Sequence, residues 1–145
     1  MLPDAIKPAM EGVIPSRVVT CSLDGTPNTT TISQVYYVDA DHVALSYQFF
    51  NKTTKNVREN PHAAVWLINP ETFESWELEI EYDHSETSGP VFEAMDMRIE
   101  AIASLTGMKG IFKLRAADIY RVRNVWKNVG ERLTLAAIEG QAAAG

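Results

Sequence analysis

Between residues 16 and 123 the chain carries six runs patterned as β-strands and only one patterned as a long helix, which sharply limits the folds open to it. Ser16–Leu23 is rich in β-branched residues. The turn Asp24-Gly25-Thr26-Pro27 follows, and Asp-Gly is the strongest hairpin signal in the chain. Asn28–Val38 is the second run. In the third, His42–Phe50, the residues Val43, Leu45, Tyr47 and Phe49 alternate with His42, Ala44, Ser46 and Gln48, as in a strand with one buried face. His62–Ile68 is almost wholly apolar, as in a strand buried on both faces. Ser75–Tyr82 sets Trp76, Leu78, Ile80 and Tyr82 on one face and Glu77, Glu79 and Glu81 on the other. Gly110–Arg123 is the last run, with a kink expected near Ala116-Ala117.

The long helix opens at Ser88-Gly89-Pro90, where a proline at the first helical position forfeits no hydrogen bond. Phe92, Met95, Ile99 and Ile102 form its apolar stripe, and Gly107 is expected to cap its end. One helix cannot cover both faces of six strands, so the sheet must curl on itself or bury the remainder against a second copy. The expectation is an α+β fold, a six-stranded antiparallel β-barrel with flanking helices. A short helix at residues 4–11, interrupted at Pro8, precedes the strands. Residues 1–125 are expected to form the domain. Residues 126–145, with a weakly apolar helical segment at Leu133–Ile138, read as a helix or linker tail.

A chain of 145 residues, 46% hydrophobic and 22% charged, is a single globular domain rather than a disordered one. Its net charge of −6 argues against a general nucleic-acid binder. The lone Cys21 excludes an intramolecular disulfide and, within a strand-like run, reads as an inert buried thiol in a reducing compartment. The longest strongly apolar run, Ala63–Ile68, is too short to span a bilayer, and no export signal opens the sequence, so a cytoplasmic protein is expected.

His42, His62 and His84 are scattered and lack a Ser or Cys partner at recognisable spacing, and the chain has neither a zinc pattern nor a Gly-rich nucleotide loop. Glu77, Glu79 and Glu81 could together meet a divalent cation, but with no further ligand nearby a solvated acidic stripe is favoured. The remaining chemistry lies in Ser46–Pro61. Asn51 ends a strand and suits an N-cap, and Lys52, Thr53 and Thr54 follow in the first helical turn. A cation, two hydroxyls and unpaired amides then converge, an arrangement that suits a phosphate. Only Val57 is strongly apolar between Lys52 and Asn60, so a weakly held connecting helix explains the stretch equally well on local grounds. A phosphate there would leave the rest of its molecule along Thr30–Ser33 and Ser46–Gln48, a surface that accommodates a flat heteroaromatic ring. Hydride chemistry on such a cofactor needs no protein nucleophile.

The runs Arg17-Val-Val-Thr-Cys-Ser-Leu-Asp-Gly-Thr-Pro and Tyr37-Val-Asp-Ala-Asp-His-Val-Ala-Leu-Ser-Tyr-Gln-Phe-Phe-Asn-Lys-Thr-Thr-Lys-Asn-Val-Arg-Glu-Asn-Pro resemble the pyridoxamine 5′-phosphate oxidase-like family of flavin-binding split β-barrels. The resemblance covers roughly Gly12 to Val125 and is closest to short members associated with sensor proteins, through Gly89-Pro-Val-Phe-Glu-Ala-Met and the run from Leu105 to Val122. It implies a homodimer with FMN in clefts at the interface. By position, Asn51, Lys52 and Thr53 would bind the phosphate, and Ser46 and Tyr47 would contribute from the preceding strand. Thr30, Thr31, Ile32 and Ser33 would lie along the isoalloxazine, largely through backbone groups, with Val35 at the matching end position.

Authentic oxidases carry basic residues where this chain has Thr30 and Val35, and a second one where it has Thr53. Their C-terminal Arg-x-His element is not reproduced by Arg121 and Arg123. The resemblance therefore implies an FMN-dependent oxidoreductase acting on some small molecule other than pyridoxamine phosphate. The alternatives are a non-catalytic flavin- or ligand-binding sensory module of a signalling protein, and a relative that binds the deazaflavin F420 at the same phosphate anchor.

Overall fold

The Asp24-Gly25 signal makes the turn it announces. Gly25 takes φ 88°, its N–H donates to the Ser22 carbonyl at 3.0 Å, and the Ser22 N–H donates to that of Thr26 at 3.0 Å. A left-handed residue of this kind is readily adopted only by glycine. The turn sets the register of β1 (Ser16–Cys21) against β2 (Pro27–Ile32), with Cys21 opposite Pro27 and Ser16 opposite Ile32. The computed structural model describes residues 1–32, 34–47, 56–105 and 114–127. The other strands are β3 (Tyr36–Asp39), β4 (His42–Tyr47), β5 (His62–Ile68), β6 (Ser75–Glu86) and β7 (Ala116–Lys127). They join β1 and β2 in one antiparallel sheet of order β2-β1-β5-β6-β7-β4-β3.

The sheet has seven strands rather than the expected six, because the run Asn28–Val38 divides. Its first part pairs with β1 and its second with β4, at opposite ends of the strand order. Laid flat, strands six places apart would stand roughly 29 Å from each other. The four Cα–Cα steps from Ile32 to Tyr36 reach about 15 Å at most. The sheet is therefore curled, and one run of chain changes neighbours where the curl brings its edges together.

Two strand ends also differ from expectation. β6 continues past Tyr82 to Glu86, with a register shift between Tyr82 and His84. β7 starts at Ala116 and continues past Arg123 to Lys127, because Asn124–Lys127 pair with Trp76–Glu79. Phe49 and Phe50, the first residues of the expected last strand at 110–113, the cap Gly107 and the tail from residue 128 lie outside the described residues.

The inward faces of the strands build one core from Val18, Val43, Leu45, Val65, Leu67, Leu78, Ile80, Tyr120 and Val122. A single 3₁₀ turn (Asp4–Ile6) leads into α1 (Lys7–Met10), which holds Pro8 in its first turn, where it is tolerated. Leu2, Ile6, Ala9 and Met10 close one end of the barrel. They are held by the Leu2 N–H donating to the Ala40 carbonyl at 2.8 Å and the Val35 N–H to that of Met10 at 3.2 Å. The long helix, α2 (Pro90–Leu105), lays Phe92, Met95 and Ile99 over Ala44, Ala117 and Ile119 on the outer wall. This second core is why Ala116–Tyr120 is buried on both faces. The Ile102 side chain lies outside the described part.

Candidate functional site

The chain passes from β4 to β5 through residues 48–61. It leaves at Tyr47, opposite Ala116, and returns at His62, opposite Glu81. Residues 48–55 lie outside the described residues, and with them Asn51, Lys52 and Thr53. The chain is described again at a helical turn, 56–59, and two side chains fasten that turn. Val57 is 1% exposed and belongs to the barrel core. Asn56 is 7% exposed, and its Nδ2 donates to Oγ1 of Thr20 on β1, itself 2% exposed, at 3.2 Å. The Asn60 N–H closes the turn on the Asn56 carbonyl at 2.6 Å, and the Tyr82 N–H donates to the Pro61 carbonyl at 2.8 Å. A segment read as weakly held is thus anchored firmly at its exit.

The residues expected along a flat ring fall toward the two edges of the sheet, on the edge strand β2 and on β4, which lies one strand in from the other edge. Thr30 is half-buried opposite Val18, while Thr31 is exposed opposite Arg17, so their hydroxyls lie on opposite faces. Ile32 is buried opposite Ser16. Among the described residues β2 pairs only with β1, which leaves the peptide groups of its other side open to a ligand. Ser46, half-buried, and Tyr47 stand at the end of β4, opposite Ala117 and Ala116. Val35 is buried, and its side chain joins Leu45 in the barrel core. Ser33 lies outside the described residues. The short link from β2 to β3 draws these two edges toward each other.

Within reach of Arg58 of the 56–59 turn lies a polar chain that the sequence patterning does not mark. Asp118 is 6% exposed, and its Oδ1 accepts from Ser85 Oγ at 2.7 Å. Ser85 Oγ is in turn 2.5 Å from the Tyr82 hydroxyl, and the Tyr82 ring meets that of Tyr120 edge-on at 5.6 Å. Burial raises the Asp118 carboxyl above its ordinary range, opposed by the Ser85 hydrogen bond and by attraction to Arg58. Burial, with the nearby Asp118 and Tyr82, likewise raises the Tyr120 phenol. A carboxyl of this kind can hold a proton. The signal for it was the one acid in the apolar run Ala116–Tyr120.

The acidic stripe is engaged within the sheet. Glu77 accepts from Trp66 Nε1 at 2.9 Å, Glu79 from Asn124 Nδ2 at 2.8 Å, and Glu81 from Arg123 Nε at 2.6 Å. His42 contacts Asp39, and His84 contacts Asp83, whose hydrogen bond raises the imidazole's pKa. Among the described residues neither forms a nucleophile–base pair. Cys21 is free and half-buried. It lies on an open groove of about 600 Å³ along the outer faces of β1, β5, β6 and β7, with Val19, His62, Ala64, Glu81 and Arg123. Among the described residues no helix is long and apolar enough to cross a membrane.

Residues 2–123 match the family model described as pyridoxamine 5′-phosphate oxidase. Over 54 residues the chain is 37% identical to an uncharacterized protein of Methanocaldococcus jannaschii, an alignment that spans 36% of each chain and so about a third of that relative. Among solved structures, an FMN-binding protein of Syntrophomonas wolfei superposes with a TM-score of 0.70 at 14% identity over 84% of each chain. An F420 reductase superposes with a TM-score of 0.62 at 12% identity over 86% of this chain and 98% of the other. At these identities the likeness is one of fold, the split barrel.

Proposed function

The chain belongs to the pyridoxamine 5′-phosphate oxidase family, and from that premise we propose that it binds FMN as a cytoplasmic homodimer and serves as an oxidoreductase for a small molecule. The observation that carries this reading is the Asn56–Thr20 hydrogen bond. It ties the chain three residues beyond Thr53 to β1, the strand that pairs with β2. Asn56 follows the proposed phosphate segment closely in sequence, so its bond to the strand beside β2 supports a reading in which phosphate and ring share one site.

In this reading Lys52 supplies the charge at the phosphate, with Asn51 and Thr53 beside it. The open edge of β2, from Thr30 through Thr31 and Ile32 to Ser33, offers peptide donors and acceptors to the ring, with Val35 at the end of that path. Ser46 and Tyr47 close the other side. FMN, when bound, would supply the two-electron chemistry, and the protein's part is to hold and orient it. The uncovered groove on β1, β5, β6 and β7 is the face assigned to the second copy, where Glu79 and Glu81 beside Arg123 give both signs of charge to a two-fold contact.

Titration of the full chain with FMN, followed by flavin absorbance, tests the reading. Saturable binding is expected, and Lys52→Ala should weaken it by about 1.5–3 kcal/mol, the range for a hydrogen bond to a charged group. A chain that takes up no flavin overturns the proposal, and an unchanged affinity in the variant overturns the role of Lys52. The shared fold with an F420 reductase supports a second reading, a deazaflavin on the same anchor, and the same titration with F420 decides between them. Reduction of the bound flavin by NAD(P)H separates an oxidoreductase from a ligand-binding regulatory module.

A further inference from the structure

We propose that the cavity between α1, the start of β3 and α2 binds a small planar carboxylate, gripped by Arg98 and Lys7 beside the rings of Tyr36 and Tyr37. The cavity is about 220 Å³ and is lined by these four residues and Glu11, with the buried Met10 and Val35 at its base. Val35 is the one residue of this lining that is also assigned to the flavin path, and the proposal does not depend on flavin binding.

Arg98 is the central group. Its guanidinium carbon lies 5.3 Å from the centroid of the Tyr36 ring, a stacking that holds the fork in place. Among the described residues its ion-pair partner is Glu11, at 3.7 Å from Nη1, which is beyond hydrogen-bond length. The donors of the fork are thus oriented and unspent on that acid. Lys7 Nζ stands 4.5 Å from the centroid of the Tyr37 ring and is paired with Asp4 at 3.1 Å. The lining carries two cations against the single carboxylate of Glu11, in a chain whose net charge is −6.

These features select the ligand. Parallel N–H groups not taken up by hydrogen bonds among the described residues match a carboxylate in bidentate fashion. The Tyr36 and Tyr37 rings favour a flat body behind that carboxylate over a hydrated phosphate. The space equals roughly seven water volumes at ~30 Å³ each, which limits the ligand to a small organic acid.

Benzoate titrated into the full chain, followed by calorimetry and by the amide shifts of α1, β3 and α2, is the test. Saturable binding with one site per chain is expected. Arg98→Ala should weaken it by about tenfold or more, and Arg98→Lys nearly as much, since the ammonium lacks the planar fork. Glu11→Gln should tighten it several-fold, because the competing carboxylate is gone, and this variant disturbs no buried group. Benzamide, which is uncharged, should bind about tenfold more weakly. The proposal is overturned by absence of saturable binding in both the parent and Glu11→Gln, by equal affinity in Arg98→Ala, or by benzamide matching benzoate. Flavin uptake by the same samples is a separate measurement and decides neither outcome.

Discussion

Replacing Asn56 by alanine removes the buried amide that fastens the 56–59 turn to β1. Both partners are nearly inaccessible, and the bond between them is 3.2 Å long. A neutral hydrogen bond contributes ~1 kcal/mol net, and the loss rises to about 1–3 kcal/mol when the abandoned partner stays buried and unmet. Asn56→Ala and Thr20→Val should each fall in that range, the first stranding a hydroxyl and the second an amide. The double variant strands neither, so it should be destabilised by less than the sum, with a coupling of about 1 kcal/mol. Urea unfolding at constant slope reads all three. The functional consequence follows from position, since Asn56 is three residues beyond Thr53. If flavin binding must restore the order that the bond supplies, Asn56→Ala should weaken FMN by the same ~1 kcal/mol, about fivefold. Strictly additive stability losses would refute the coupling. A destabilised Asn56→Ala chain with unchanged FMN affinity would refute the claim that this bond organises the anchor.

Three further outcomes are expected. Because burial raises the Asp118 carboxyl above its unfolded value, the native state holds that proton more tightly, and stability falls as pH rises from the ordinary carboxylate range through the folded pKa. An asparagine can still accept from Ser85, so Asp118→Asn should be more stable than the parent at neutral pH and lose that advantage in acid. A pH-independent difference between the two urea midpoints would count against it. Leu78 is wholly buried in the barrel, and Leu78→Ala should cost about 2–5 kcal/mol; an unchanged unfolding midpoint contradicts the core assignment. Ala64 lies in the outer groove proposed to meet a second copy, so sedimentation should find the parent dimeric and Ala64→Asp shifted toward monomer without loss of fold; a monomeric parent would refute the proposed dimer, and an unaltered dimer would place the interface elsewhere.

Local signals carried much of this fold. Trp76, Leu78 and Ile80 turn into the barrel as their period-two spacing requires, and Asp24-Gly25 sets the first hairpin. Which strand lies beside which is not a local property. The run Asn28–Val38 reads as one strand because nothing in its sequence marks where the neighbour changes from β1 to β4, and only closure of the sheet forces that change. Asn124 reads as a strand end, yet its amide reaches Glu79 and the strand runs on. Asn56 and Asp118 were passed over for the same reason. Their partners, Thr20 and Ser85, are 36 and 33 positions away and become neighbours only in the folded chain. The anchor proposed at Asn51, Lys52 and Thr53 rests on the sequence alone, where cap, cation and hydroxyls are consecutive. The surface that anchor would serve is less legible there. When β3 leaves β1 and β2 to pair with β4, it frees the outer edge of β2, where the ring of a cofactor can find peptide groups. The break that strand periodicity does not reveal is therefore the same event that opens the proposed cleft.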